Sequence, residues 1–158
     1  MYTFTALITN YPLICTGSAW LVAQVLKVFT GIFRERRFSV LEFLFGNGGM
    51  PSSHSASVVA LCVACAIKFG LGSPYFAISF LLCVIVMRDA TGVRWETGEQ
   101  AKVLNRIMQD LFKSDRPEEF NKNLKELVGH TPLQVFVGAI VGAAVPFALM
   151  AIPAFGIL

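Results

Sequence analysis

Residues 69–87 read FGLGSPYFAISFLLCVIVM, 19 positions without a charge, and Arg88-Asp89 follows at once. Gly70, Gly72, Ser73 and Pro74 mark a turn at the start of this stretch. The apolar run behind it has the length and composition of a membrane-spanning helix. Working outward, residues 1–26 carry no charge, while 43–67 hold only His54 and 127–158 only His130. The whole chain of 158 residues is 55% hydrophobic and 15% charged, where a soluble domain carries about 25% charged residues. A disordered chain is excluded and a water-soluble monomer is not expected. The fold class read from this pattern is all-α: an integral-membrane helical bundle forming a single domain over 1–158. About four transmembrane helices are expected, at roughly 11–33, 54–72, 74–94 and 132–155, with an amphipathic helical segment at 95–128 between spans three and four. Residues 1–10 lack the basic start of a secretory signal, so no cleavable targeting segment is expected there.

Basic residues set an orientation. Arg34, Arg36 and Arg37 follow span one, and Lys102, Arg106, Lys113, Arg116, Lys122 and Lys125 follow span three. With four spans these connections share a side, which the positive-inside rule makes the cytoplasmic side or its equivalent. In 95–128, Leu104, Ile107, Met108, Leu111 and Phe112 form one apolar stripe and Phe120, Leu124, Leu127 and Val128 a second, with a helix-start signature at Asp115 to Glu118 between them. Two amphipathic helices lying on the charged mouth of the bundle or on lipid fit that pattern, as does a helical hairpin that merely closes the fold. Cys15, Cys62, Cys65 and Cys83 all fall in apolar spans, which reads as core packing rather than redox or metal chemistry. Basic and acidic residues alternate, so no nucleic-acid partner is expected. No clustered metal motif and no cofactor fingerprint is present.

Ionisable residues inside spans cost about 2.5–3.5 kcal/mol on insertion scales, so each asks for a reason. Lys27 and Arg34 are seven residues apart, nearly two turns, so they share a helix face about 10 Å apart along the axis. They either hold an anion from two heights or snorkel to the interface. Arg88 and Asp89 point to a polar pocket or form a structural pair, and Arg94 follows near the mouth. Pro51-Ser52-Ser53-His54 opens span two, behind Gly46, Gly48 and Gly49. A helix start presents unpaired N–H groups and the positive end of the dipole, a natural phosphate seat, although a serine cap beside a histidine would look the same. Gly129-His130-Thr131-Pro132 opens span four, and Thr131 with Gln134 reads as a capping box. Two histidines and several cations at one depth suit a pocket in which one imidazole attacks phosphorus and the other protonates the leaving oxygen.

These residues resemble those of the divergent type 2 phosphatidic acid phosphatase family, also described as acid phosphatase/vanadium-dependent haloperoxidase-related membrane proteins. The resemblance runs from Ala23-Gln24-Val25-Leu26-Lys27 through 48–56 and Arg88 to Arg94, then Gly98 to Ala101, Leu104-Asn105 and Gly129 to Pro132. The wider superfamily carries Lys-x6-Arg-Pro, Pro-Ser-Gly-His and Ser-Arg-x5-His-x3-Asp. Lys27 and Arg34 match the first with Glu35 in place of proline, and Pro51 to His54 match the second with Ser53 in place of glycine. His130 matches the third motif's histidine. The resemblance implies His130 as nucleophile, His54 as general acid, and Lys27, Arg34, Ser52, Ser53, Arg88 and Arg94 as phosphate-binding residues. Asp89 and Gln134 take supporting roles. Gln134 stands where the superfamily has its orienting aspartate and Leu124 where it has an arginine.

The implied function is hydrolysis of a lipid phosphate or diphosphate, the partner being a phospholipid or an isoprenoid-type lipid phosphate in the bilayer, with no metal and no cofactor. A non-catalytic phospholipid binder or scaffold built on a degenerate phosphatase site is the alternative, and a transporter lined by Arg88 and Asp89 a third. Gly138-x3-Gly142 is a small-residue face that brings helices close, either in a homodimer or inside one bundle.

Overall fold

The computed structural model describes residues 2–35, 50–111 and 131–152, and every element in them is a helix. They are α1 (Tyr2–Ile8), α2 (Tyr11–Glu35), α3 (Ser53–Phe69), α4 (Pro74–Thr91), α5 (Val93–Leu111) and α6 (Pro132–Met150). The expected all-α membrane bundle is what forms. Tyr11–Thr30, the run that starts at Pro74, and Pro132–Met150 are long and apolar enough to cross a membrane. The span expected at 54–72 is shorter, because α3 stops at Phe69 after 17 residues, about 25 Å of helix against a core about 30 Å thick. Helix α4 ends at Thr91 and α5 begins at Val93, so Arg94 falls in the first turn of α5, within the apolar run Pro74–Met108. The second amphipathic stripe, Phe120 to Val128, lies outside the described residues.

Local signals explain the boundaries. Gly70 takes φ +81°, a left-handed conformation that ends α3 at no side-chain cost. Ser73 then caps α4, its Oγ accepting from the Phe76 N–H at 3.2 Å, and Pro74 fills the first helical turn where an N–H is dispensable. The rings of Phe69 and Tyr75 meet across this turn at 4.6 Å. Thr131 caps α6 through the expected capping box: its Oγ1 accepts from Gln134 N–H at 3.3 Å, and Gln134 Oε1 accepts from Thr131 N–H at 3.1 Å.

Helix α3 sits at the centre, packed on α2, α4 and α6. Ala19 and Ala23 of α2 meet Ala56 and Ala60, while Tyr11 and Cys15 meet Ala64, so α2 runs antiparallel to α3. Cys62 of α3 approaches Ser79 and Cys83, so α4 returns antiparallel as well. Gly138 faces Ser52 and Gly142 faces Ala56, so α6 runs parallel to α3. One end of the bundle therefore gathers the end of α2, the starts of α3 and α6, and the end of α4.

The interior is built from small residues. Cys15, Ala19, Ala23, Ala56, Ala60 and Ala64 are fully buried, whereas Ile78, Leu81, Leu133 and Phe136 are at least 60% exposed. A soluble domain does the reverse. In lipid, large apolar side chains gain nothing by leaving the surface, so helix contacts are made where small residues let backbones approach. This also settles Gly138 and Gly142. Both are buried against α3, so the face read as a dimer seam is spent within the chain and leaves no room for a second copy. In α5 the same logic buries Gly98, Ala101 and Asn105, leaving Leu104 and Ile107 of the apolar stripe exposed.

Pro146 lies inside α6, and its carbonyl accepts a 2.7 Å bond from the buried Tyr11 hydroxyl, 135 positions away. Tyr11→Phe removes that bond without changing the packing. The expected result is a loss of about 1 kcal/mol in reversible detergent unfolding, with an unchanged helical signal.

Candidate functional site

The site is built at the end of the bundle where α3 and α6 begin. Ser52 is extended, with φ −70° and ψ 115°, and caps α3. Its Oγ accepts from the Ser55 N–H at 3.4 Å and from the Ser55 hydroxyl at 3.1 Å. Both serines are fully buried and Ser53 nearly so, which leaves His54 as the exposed member of the motif. The Ser52 N–H donates to the Gln134 carbonyl at 3.1 Å, tying the start of α3 to the first turn of α6. Two helix N-termini, each with a positive dipole end, are thereby held side by side.

From α2, Lys27 joins the buried stripe formed by Ala19, Ala23 and Gln24 and is only 9% exposed. Its side chain is therefore held within the bundle, which excludes snorkelling as the account of this residue. Thr30, one turn on, donates its hydroxyl to the Met50 carbonyl and fastens the end of α2 to the segment entering α3. At the end of α4, Arg88 is exposed and Asp89 half-buried. Arg34 and Arg94 fall in α2 and α5, their side chains lying outside the described part, and His130 lies outside the described residues altogether. By chain connectivity His130 directly precedes Thr131, the cap of α6.

The described residues thus bring together Lys27, Ser52, Ser53, His54 and Gln134, at the bundle end where α4 delivers Arg88 and Asp89. Sequence reasoning passed over Ser55, which locks Ser52, and Thr30, which locks Met50. Ser55 was detectable as the residue three after the cap, but Thr30 to Met50 crosses 20 positions and leaves no local signal. Gln134 has its side-chain oxygen on Thr131, in the role of a helix cap. Among the described residues no group of three or more His, Cys, Asp or Glu is placed to hold a metal ion. All four cysteines are buried as free thiols.

A small helical membrane protein with polar groups gathered where its central helix begins is the class these features define. The model described as Divergent PAP2 family matches residues 8–145, and the chain belongs to that family. An uncharacterized membrane protein of Bacillus subtilis (strain 168), YuiD, is 42% identical over 145 residues, covering 86% of this chain and 91% of the relative. No solved structure matches the chain.

Proposed function

We propose that this protein hydrolyses a lipid phosphate or diphosphate at the bilayer interface, through a phosphohistidine formed on His130. The observation that carries the reading is the bond from Ser52 N–H to the Gln134 carbonyl, which sets the starts of α3 and α6 beside each other. Phosphate oxygens seated there take hydrogen bonds from backbone N–H groups and gain from both dipoles. Lys27, held inside the bundle, supplies a cation from below, and Arg34, Arg88 and Arg94 supply others from the rim. A His130 ring nitrogen attacks phosphorus, forming a P–N bond as the P–O bond to the lipid alcohol breaks, and His54 gives its proton to the departing oxygen. Water then cleaves the P–N bond, with His54 taking the proton back, and phosphate leaves. The lipid stays in the bilayer with its head group at the basic side, which the positive-inside rule makes cytoplasmic.

The deciding experiment is phosphate release by the purified protein in nanodiscs from a panel of lipid monophosphates and diphosphates. Turnover that orthovanadate inhibits supports the reading. No release from any of them, with phospholipid still bound, supports the second reading of a lipid-binding protein on a silent phosphatase site. Gln134 favours that second reading, because it stands in place of a carboxylate and has its oxygen on Thr131. An amide cannot stabilise an imidazolium as a carboxylate does.

Both readings share the anion seat, and both predict that Lys27→Met weakens orthovanadate binding about 10-fold or more, read by titration in nanodiscs. Methionine keeps the length and apolar stem of the side chain while removing its charge, so retained folding with lost binding isolates the electrostatic role.

A further inference from the structure

The two histidine motifs lie on different helices, so something must fix the distance between them. Ser52, two residues before His54, is held by α6 at two points one turn apart. The first is the 3.1 Å bond from its N–H to the Gln134 carbonyl. The second is Gly138, whose Cα faces the Ser52 carbonyl so closely that a Cβ would overlap that oxygen, standing also 3.1 Å from Ser55 Cβ and 3.2 Å from Ser52 N. Gly142, one turn deeper, makes an equally close approach to Ala56, whose N–H donates to the Ser52 carbonyl at 3.1 Å, so the joint continues into the first turn of α3.

We infer that Gly138 is a positioning residue for the anion site: by letting Ser52 seat against α6, it fixes the start of α3, and His54 with it, against the first turn of α6. The inference rests on the reading of this bundle end as a phosphate pocket, and it extends that reading to a residue with no polar atom of its own beyond the backbone. Adding a methyl group at Gly138 displaces the Ser52 carbonyl, strains the bond to Gln134 and shifts the start of α3 along α6. Tyr11→Phe, which removes the bond to the Pro146 carbonyl at the opposite end of the bundle, costs stability while leaving the Ser52 joint in place.

The chain has two histidines, so protein labelled with 15N-histidine in nanodiscs gives two sets of imidazole signals. Gly138→Ala is expected to move both sets and to weaken orthovanadate binding at least tenfold. Tyr11→Phe is expected to leave the signals in place and the vanadate affinity within about twofold, although its stability falls too. Ser55→Thr presses on the same joint through a side chain, and it is read in the same two measurements if Gly138→Ala does not yield folded protein. Unmoved signals in Gly138→Ala, or an equal loss of vanadate binding in Tyr11→Phe, overturns the inference. Moved signals in Gly138→Ala combined with a wild type that ignores vanadate supports the positioning role and overturns the phosphate pocket instead.

Discussion

His130→Ala is expected to bring phosphate release from a lipid monophosphate down to background, below about one part in 10³ of the wild-type rate, because the P–N bond then has no nitrogen to form on. His54→Ala is expected to cost about 10²- to 10⁴-fold with the same substrate, the usual contribution of a general acid. The two substitutions separate when the leaving group changes. An alkoxide leaves poorly without a proton, whereas a phosphate leaving from a diphosphate needs far less help. His54→Ala should therefore recover much of its loss on a diphosphate, and His130→Ala should recover none. Equal losses on both substrates would remove the assignment of nucleophile and acid to these two residues. Measurable turnover in His130→Ala would remove the phosphohistidine route altogether.

Gly142→Leu is expected to destabilise the bundle by about 3 kcal/mol or more, enough to leave little monodisperse protein after extraction. At this position α6 meets the backbone of α3 itself: a Cβ would overlap the Ala56 carbonyl oxygen and lie 3.0 Å from both Ala56 C and Cα. No rotamer relieves that clash, because the obstructing atoms are main chain. The helices must separate, and the cluster of Ala19, Ala23, Ala56 and Ala60 opens with them. Phe136→Leu on the same helix is the control. Phe136 is 63% exposed on the lipid side, so its replacement should stay within about 0.5 kcal/mol. Size-exclusion profiles and detergent unfolding of the two variants measure the contrast, and a well-behaved Gly142→Leu would contradict the placement of α6 on α3.

Much of this was legible residue by residue. The uncharged runs and the turn at Gly70 to Pro74 predict the helical hairpin of α3 and α4, because hydrophobic length and turn chemistry act within a few positions. The capping box of Thr131 and Gln134 is equally local, and both of its bonds form. Other features were open to two readings. Lys27 in an apolar span fits either an interior cation or a snorkelling one, and only the neighbours of α2 decide between them. Gly138 and Gly142 fit a dimer seam or an internal contact, and the spacing is the same for each. The end of α3 falls at the turn the sequence marks, with Gly70 closing the helix after Phe69.

The amino-acid sequence by itself determined that the chain is a helical membrane protein of the divergent PAP2 family, where its helices begin, and which polar residues open them. These properties depend on hydropathy, capping and motif spacing, all carried by neighbouring residues. Tertiary structure alone decided that α3 is the central helix, that Gly138 and Gly142 of α6 face it, and that Ser52 is tied to Gln134. Helix association in lipid has no hydrophobic driving force to mark its faces, so partners are chosen by how closely small residues let two backbones approach. That closeness exists only once both helices are in place.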